Sequence, residues 1–367
     1  MLSLQDSPVL KGILRPGCRS ITSGNTGRSK GAMLTHRNLQ SNAEALVKCW
    51  QFTDENILIH ALPLYHTHGL FVATNVSLLA GSSLLLMKNF DVDAICRRMP
   101  QASVLMGVPT FYVRLLEHPD IENVAKNIRL FVSGSAPMLP HTHALWKERT
   151  GQTILERYGM TETSMNTSNP YFGERRAGTA GLPLPGVEVI VTDPATGKVL
   201  QNGIKGMIEI RGPNVFKGYW GMPKKTAEEL RENGFFITGD LGSIGEDGYV
   251  SLVGRSKDLI ISAGYNIYPK EVELILDSID GVFESAVIGV PHPDLGEAVV
   301  AVIVTEPGIS FNHDSIIELL QNRIALFKHP KQIIFIDELP RNSMGKVQKN
   351  VLRESYLGIY NKKTDVE

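Results

Sequence analysis

Cysteine is scarce in this chain: there are three, Cys18, Cys49 and Cys96, far apart and odd in number. That excludes a disulfide framework and a CxxC metal site, and it fits a reducing compartment. Charge of one sign is missing too. Lys and Arg number 37 against 38 Asp and Glu, a net charge of -1, with no long run of either sign. Binding nucleic acid by counterion release needs a basic face, and none is written here. No GxxxxGK[ST] string, no internal repeat and no low-complexity segment occurs. The longest apolar run, residues 69–87, is interrupted by Thr74, Asn75, Ser77, Ser82 and Ser83. It predicts a buried helix followed by a strand, not a membrane span. The opening stretch carries Asp6 and Pro16 between apolar pieces too short for a signal peptide. A cytoplasmic location is expected, with the basic Lys11, Arg15 and Arg19 leaving a mitochondrial one open.

What is present is enough chain, 367 residues, for two or three domains. Residues 38–250 alternate helix-like and strand-like stretches, as α/β domains do. Helices are expected over 38–50, from the Asp91 cap to Arg98, and over 110–117, and buried strands over 81–86, 104–107 and 130–133. From Gly178 onward short β runs with Gly and Pro predict a β-rich part, with strands over 188–192, 206–211 and 249–253. A boundary is expected near Gly254–Asp258. Beyond it a small α+β unit should hold a helix opening at Pro269, strands over 284–289, 298–305 and 332–336, a helix over 314–325 and a loop over 340–349.

Three groups of residues carry possible chemistry. The segment 21–31, ITSGNTGRSKG, combines hydroxyls, glycines and Lys30 in a loop whose amides and ammonium suit a polyphosphate, or simply a polar surface turn. The segment 156–163, ERYGMTET, compresses an aromatic, a glycine, hydroxyls and an acid into one turn. Tyr158 can stack on a base, Thr161 can donate to a phosphate and Glu162 can hold Mg²⁺ as a hard oxygen ligand. The bland alternative is a helix cap at Thr161 and Glu162. Asp240 in TGD, Arg255 after Gly254, and Lys346 in PRNSMGK form the third group. Singly they read as a turn acid, a surface ion pair and a solvated lysine.

In order along the chain, the glycine-rich loop, YHTHG, SGSAP, YGMTE, TGD, GRSKD and PRNSMGK resemble the adenylate-forming superfamily over residues 21–358. Within it ALPLYHTHGL, VLMGVPTFY, LERYGMTET, MNTSNPY and GPNVFKGYW are most similar to malonyl-CoA synthetases. The resemblance implies an α/β fold: a large α/β and β-rich N-terminal domain, truncated relative to the family, with a small mobile α+β C-terminal domain. It implies a non-matching leader over 1–20, a partial adenylation domain over 21–256 and a lid domain over 257–367. By it, Thr22, Ser23, Gly24, Thr26, Gly27 and Lys30 embrace the β- and γ-phosphates of ATP, and Gly134, Ser135, Ala136, Pro137 and Tyr158 form the adenine pocket. Thr161 would touch the α-phosphate and Glu162 would hold Mg²⁺. Asp240 would accept from the ribose hydroxyls beside Arg255, Lys257 would be the hinge, and Lys346 the lysine inserted for adenylation. Gly264, in SAGYNIYPKE, would line the path of the coenzyme A pantetheine.

Physical chemistry supports that assignment. A carboxylate attacking an α-phosphate brings two anions together, and metal and lysine charge must neutralise them. Lys346 serves the first step and would obstruct thiol attack in the second, which a small domain rotating about Lys257 resolves. The acid is expected to be malonate, because a second carboxylate in a buried pocket needs a guanidinium. Arg157 is the first choice for that role and Arg114 the second, with a structural pairing the alternative for each. His66 is expected to shape the acyl pocket and His68 to be structural. The other expected acids are methylmalonate and an aryl acid, and the alternative of another kind is an inactive nucleotide-binding remnant. Two departures from the family are expected to matter: a missing N-terminal portion, residues 1–20 not reading as the strand that leads into the loop, and Asn25 in place of threonine.

Overall fold

The computed structural model describes residues 16–22, 30–342 and 345–360, and they divide into two units. The first comprises residues up to Thr238 together with 242–251, the second 239–241 and everything from Leu252 on, so the division runs through two paired strands.

In the first unit β1 (Pro16–Thr22) pairs antiparallel with β2 (Lys30–Thr35). Residues 16–20 were expected not to form a strand. Their backbone does so, with an irregularity of register between Pro16 and Cys18, the place a strand tolerates a proline. Thr35 then caps α1 (His36–Cys49) in a reciprocal box with Asn38, whose side-chain amide also donates to the carbonyls of Pro213 and Val215 at 2.7 and 2.8 Å.

A sheet follows. Its strands are β3 (Ile57–His60), β4 (Ser83–Leu86), β5 (Val104–Gly107), β6 (Leu130–Ser133), β7 (Ile154–Met160), β8 (Ser164–Ser168) and β9 (Leu182–Pro183), in the order β4-β3-β5-β6-β7-β8-β9. The first five are parallel, and β7-β8-β9 are antiparallel. Every residue of β5 and β6 is buried, as parallel strands covered on both faces require. The helices between them are α2 (Asn75–Ala80), α3 (Val92–Arg98, capped by Asp91), α4 (Pro109–Leu116), α5 (Ile121–Val124) and α6 (Pro140–Thr150). Their apolar faces meet at an edge-on aromatic group in which Trp146 lies 5.1 Å from Tyr112 and 4.9 Å from Phe131. The stretch expected as a buried helix is only partly so: α2 buries Val76 and Ser77 but exposes Leu78 and Leu79.

Beyond β9 a four-stranded sheet runs β10 (Glu188–Thr192), β11 (Gly206–Arg211), β12 (Phe236–Ile244) and β13 (Val250–Arg255), with α7 (Pro223–Glu229) between β11 and β12.

The second unit carries β14 (Ile260–Ser262), β15 (Tyr265–Ile267), α8 (Pro269–Leu276), β16 (Val282–His292), β17 (Gly296–Thr305), α9 (His313–Leu320), β18 (Gln332–Phe335) and α10 (Lys349–Tyr356). Its sheet order is β15-β14-β17-β16, with β18 parallel to β17. In β17 Val299, Ala301 and Ile303 enter one apolar cluster, while Val300, Val302 and Val304 enter another with Leu339 and Leu352. Period-two alternation with both faces covered explains why that strand reads as an unbroken apolar run.

Candidate functional site

The turn between β7 and β8 holds most of the first unit's predicted residues. Glu156 to Met160 lie on strand β7 rather than in the compressed turn expected for them, and only Thr161, Glu162 and Thr163 turn the chain before Ser164. No helix follows, so the helix-cap alternative for Thr161 and Glu162 is excluded by the fold. Gly159 is required here: a Cβ would stand 2.1 Å from the Ser164 carbonyl oxygen.

Strand alternation sends Glu156 and Arg157 to opposite faces. Glu156 Oε1 accepts from the Gly178 amide at 3.0 Å. Arg157 is buried, and its Nε and Nη2 have no hydrogen-bond partner. Its guanidinium lies against Gly134, where a Cβ would approach Cζ to 2.3 Å. Burial lowers the Arg157 pKa to about 9, the Tyr112 phenol opposing the shift. The charge thus survives at neutral pH without a carboxylate partner among the described residues. A buried unpaired guanidinium is costly, and a carboxylate placed against it recovers that cost.

Histidines border the same guanidinium. Burial, and then the charge of Arg157, pull the His66 pKa down to about 4, and the same two causes in that order hold the buried His68 well below the usual imidazole value. Both rings are therefore neutral at pH 7. Ser135, held at φ 72°, sets its hydroxyl 3.5 Å from His68 Nδ1, while His68 Nε2 is buried without a partner. His68, expected to be structural, thus stands with His66, Gly134, Ser135 and Arg157. Tyr158 is buried on β7 one residue further on. Arg114, by contrast, is exposed on α4, whose buried side carries Tyr112 and Leu115.

Lys30 opens β2. Its Nζ lies 3.7 Å from Glu229 Oε1 and 4.5 Å from the centre of the Tyr219 ring. The Tyr219 hydroxyl is 3.0 Å from Glu162 Oε1 and 2.6 Å from Glu229 Oε2. Lys30 and Glu162 therefore meet through one phenol. Burial raises the Glu229 pKa, but the hydrogen bonds from Tyr219 and Lys225 and the charge of Lys30 outweigh it, so the net shift is downward. Neither Tyr219 nor Glu229 was expected at the site; GYW and a Lys- and Glu-rich helix are the signals that carried them. Ser23, Gly24, Thr26, Gly27 and Asn25 lie outside the described residues, and Thr22 closes β1.

Among the described residues no group of three His, Cys, Asp or Glu side chains could hold a metal alone. Mg²⁺ is usually held by one or two carboxylates, with waters and substrate phosphates completing its shell. The buried carboxylate of Glu162 is a donor of that kind.

In the second unit Asp240 Oδ1 takes an ion pair from Arg255 Nε at 2.6 Å. Residues 343–344, separated from Lys346 by Gly345, lie outside the described ones. The protein around it lowers its pKa, Arg255 adding, Asp240 and Asp258 opposing and Lys257 adding again, although by surface area the residue is exposed. Those four charged residues therefore share one neighbourhood with Lys346. Lys257 is exposed in a single 3₁₀ turn. Ala263 and Gly264 form the two-residue turn from β14 to β15, both at positive φ, with open space around Gly264. The surface hollows lined by Val189 and Ile244 and by Leu84 and Arg98 contain none of these residues.

The family model described as AMP-binding enzyme matches residues 21–220, and that described as AMP-binding enzyme C-terminal domain matches residues 271–346. The malonate–CoA ligase of Arabidopsis thaliana is 36% identical over 91% of this chain and 60% of its own length. The crystal structure of ATP-bound MatB from Rhodopseudomonas palustris is 58% identical, with a TM-score of 0.91 over 93% of this chain and 68% of that one. A malonyl-CoA ligase product complex with methylmalonyl-CoA and AMP bound is 41% identical, with a TM-score of 0.63 over 89% of this chain and 72% of that one. The chain spans about 60% of the length of the curated relatives it matches first. No helix among the described residues is long and apolar enough to cross a membrane.

Proposed function

We propose, because the chain belongs to the AMP-binding enzyme family, that it serves the ATP-dependent ligation of malonate to coenzyme A through a malonyl-adenylate, releasing AMP and pyrophosphate. The relative named malonate–CoA ligase and the ATP-bound MatB structure support the reaction class. One observation within the molecule carries the choice of acid: the buried, unpaired guanidinium of Arg157 beside two neutral histidines. A monocarboxylate with an apolar tail would leave that charge stranded, whereas malonate brings a second carboxylate to it.

In this reading Arg157 takes the far carboxylate of malonate, and His66 and His68, both uncharged, bound the acyl space. The near carboxylate attacks the α-phosphate of ATP, and pyrophosphate leaves in line. Thr161 donates to the α-phosphate, and Tyr158 stacks on adenine beside Gly134–Pro137. Lys30 meets the β- and γ-phosphates with the loop 22–27, and Asp240, held by Arg255, accepts from the ribose. Glu162 would hold Mg²⁺, which when bound neutralises phosphate charge. Lys346 supplies the cation for adenylation, and its departure about Lys257 opens the way for the thiol along Gly264. The free Cys49 and Cys96 suit a reducing compartment, the cytoplasm in this reading.

Methylmalonate is the second acid to test, because one relative holds methylmalonyl-CoA. A single methyl group is worth only about 1–3 kcal/mol of discrimination. The test is ATP–pyrophosphate exchange by the full chain with malonate, methylmalonate and a medium-chain fatty acid. Malonate-dependent exchange that disappears in Lys346→Ala is expected. Exchange with the fatty acid and not with malonate would overturn the dicarboxylate assignment.

A further inference from the structure

We infer that Tyr219 and Glu229 are positioning residues that set Glu162 and Lys30 against the triphosphate and its metal, an inference that rests on the roles proposed above for Glu162 and Lys30. Tyr219 touches both ends of the arrangement, and Glu229 touches Tyr219 and Lys30. The Tyr219 hydroxyl reaches Glu162 at 3.0 Å while its ring lies under Lys30 Nζ at 4.5 Å. Glu229 reaches the same hydroxyl at 2.6 Å and Lys30 at 3.7 Å.

The phenol is held from every side. Tyr219 is 2% exposed and packs edge-on against Phe216 at 4.8 Å, which packs in turn against Phe236 at 5.1 Å. Its amide donates to Thr226 Oγ1 at 2.9 Å, tying it to the helix that carries Glu229. Residues 216–220 run along β2: the Met33 amide donates to the Gly218 carbonyl, the Lys217 amide to the Met33 carbonyl, and the Trp220 amide to the Gly31 carbonyl. The Phe216 amide donates to the Glu162 carbonyl at 2.8 Å. One short segment thus links the strand that Lys30 opens to the turn that carries Glu162.

The hydroxyl has a single proton and two carboxylates within reach, so it can donate to only one of them at a time. Glu229 is further held by Lys225 Nζ at 2.9 Å. When a cation draws on Glu162, the phenol can donate to Glu229 without leaving either oxygen unserved. Glu229 also holds Lys30 back from the bulk until a phosphate competes for it. Partners of this kind orient metal-holding carboxylates and typically change metal affinity by about 10–100-fold when removed.

The probe is Mn²⁺, read by the electron paramagnetic resonance of the free ion, titrated into the full chain at fixed ATP. Tyr219→Phe removes only the hydroxyl from a buried aromatic group, and Glu229→Gln tests the same link from α7. Glu162→Gln is the reference. The expected result is Mn²⁺ affinity weakened about tenfold in Tyr219→Phe and in Glu229→Gln, each with a KM for malonate within about twofold of the unmodified chain, and weakened more in Glu162→Gln. Affinity unchanged in both variants but lost in Glu162→Gln would overturn the positioning inference and leave the role of Glu162 standing. Affinity retained in Glu162→Gln would overturn that role, and the inference with it.

Discussion

The guanidinium of Arg157 lies so close to Gly134 that a Cβ on residue 134 would stand 2.3 Å from Arg157 Cζ and 2.5 Å from Nε. Gly134 follows the last residue of β6 and Arg157 the last residue of β7 that pairs with it, so the absence of a side chain on one is a condition for the placement of the other.

Gly134→Ala is therefore expected to act on Arg157. The methyl group must displace the guanidinium, and the predicted result is a KM for malonate raised about tenfold or more, with a stability loss of about 1–3 kcal/mol from overpacking. Thermal melts and exchange kinetics check both. An alanine variant with unchanged KM would show that Arg157 can relocate without consequence.

The depressed His66 predicts a pH dependence of stability. In the folded chain His66 takes up its proton only near pH 4, against an ordinary value of 6.5, with burial the main cause and Arg157 the second. The unfolded chain binds more protons between those values, so the contribution is intact above pH 6.5 and lost as pH falls toward 4. His66→Gln should flatten the fall in Tm over that interval. His68 has the same sign and remains in the variant, so the flattening is partial. An identical slope with and without His66 would contradict its buried, uncharged state.

Asp277 predicts the opposite slope. Burial raises its pKa to about 6 against the pull of Lys270 and the Ser285 hydroxyl, which donates to Oδ1 at 2.7 Å. Here the folded chain holds the extra proton between about pH 4 and 6, so stability falls as pH rises through that window. Asp277→Asn keeps an acceptor for Ser285 and removes the buried charge. Its Tm relative to the unmodified chain should rise as pH goes from 4 to 7, and a difference independent of pH would contradict the shift.

Much of this fold was legible because its signals are local. Strands β5 and β6 are short apolar runs closed by Gly107 and Ser133, and Asp91 and Pro269 open helices by capping and by a preset φ. The failures have physical causes. Tyr158 and Arg157 read as turn residues because Glu, Arg, Gly and Thr crowd them, yet burial in the sheet overrides that chemistry on β7. Leu78 and Leu79 look like core and face outward. Pro16 and Gly17 argue against a strand, and pairing with β2 forms one regardless. Tyr219 reaches Glu162 across 57 residues of sequence and Glu229 joins it through the same hydroxyl, a relationship that no local pattern encodes.

The central claim is that Arg157 receives the acid's second carboxylate, and exchange with malonate against propanoate tests it most directly. The unmodified chain should depend on malonate. Arg157→Leu should lose about 100-fold in kcat/KM for malonate, the loss of about 3 kcal/mol of charge-assisted hydrogen bonding, while propanoate improves relative to it and the KM for ATP stays put. Arg157→Leu that still prefers malonate over propanoate as strongly as the unmodified chain would contradict the account.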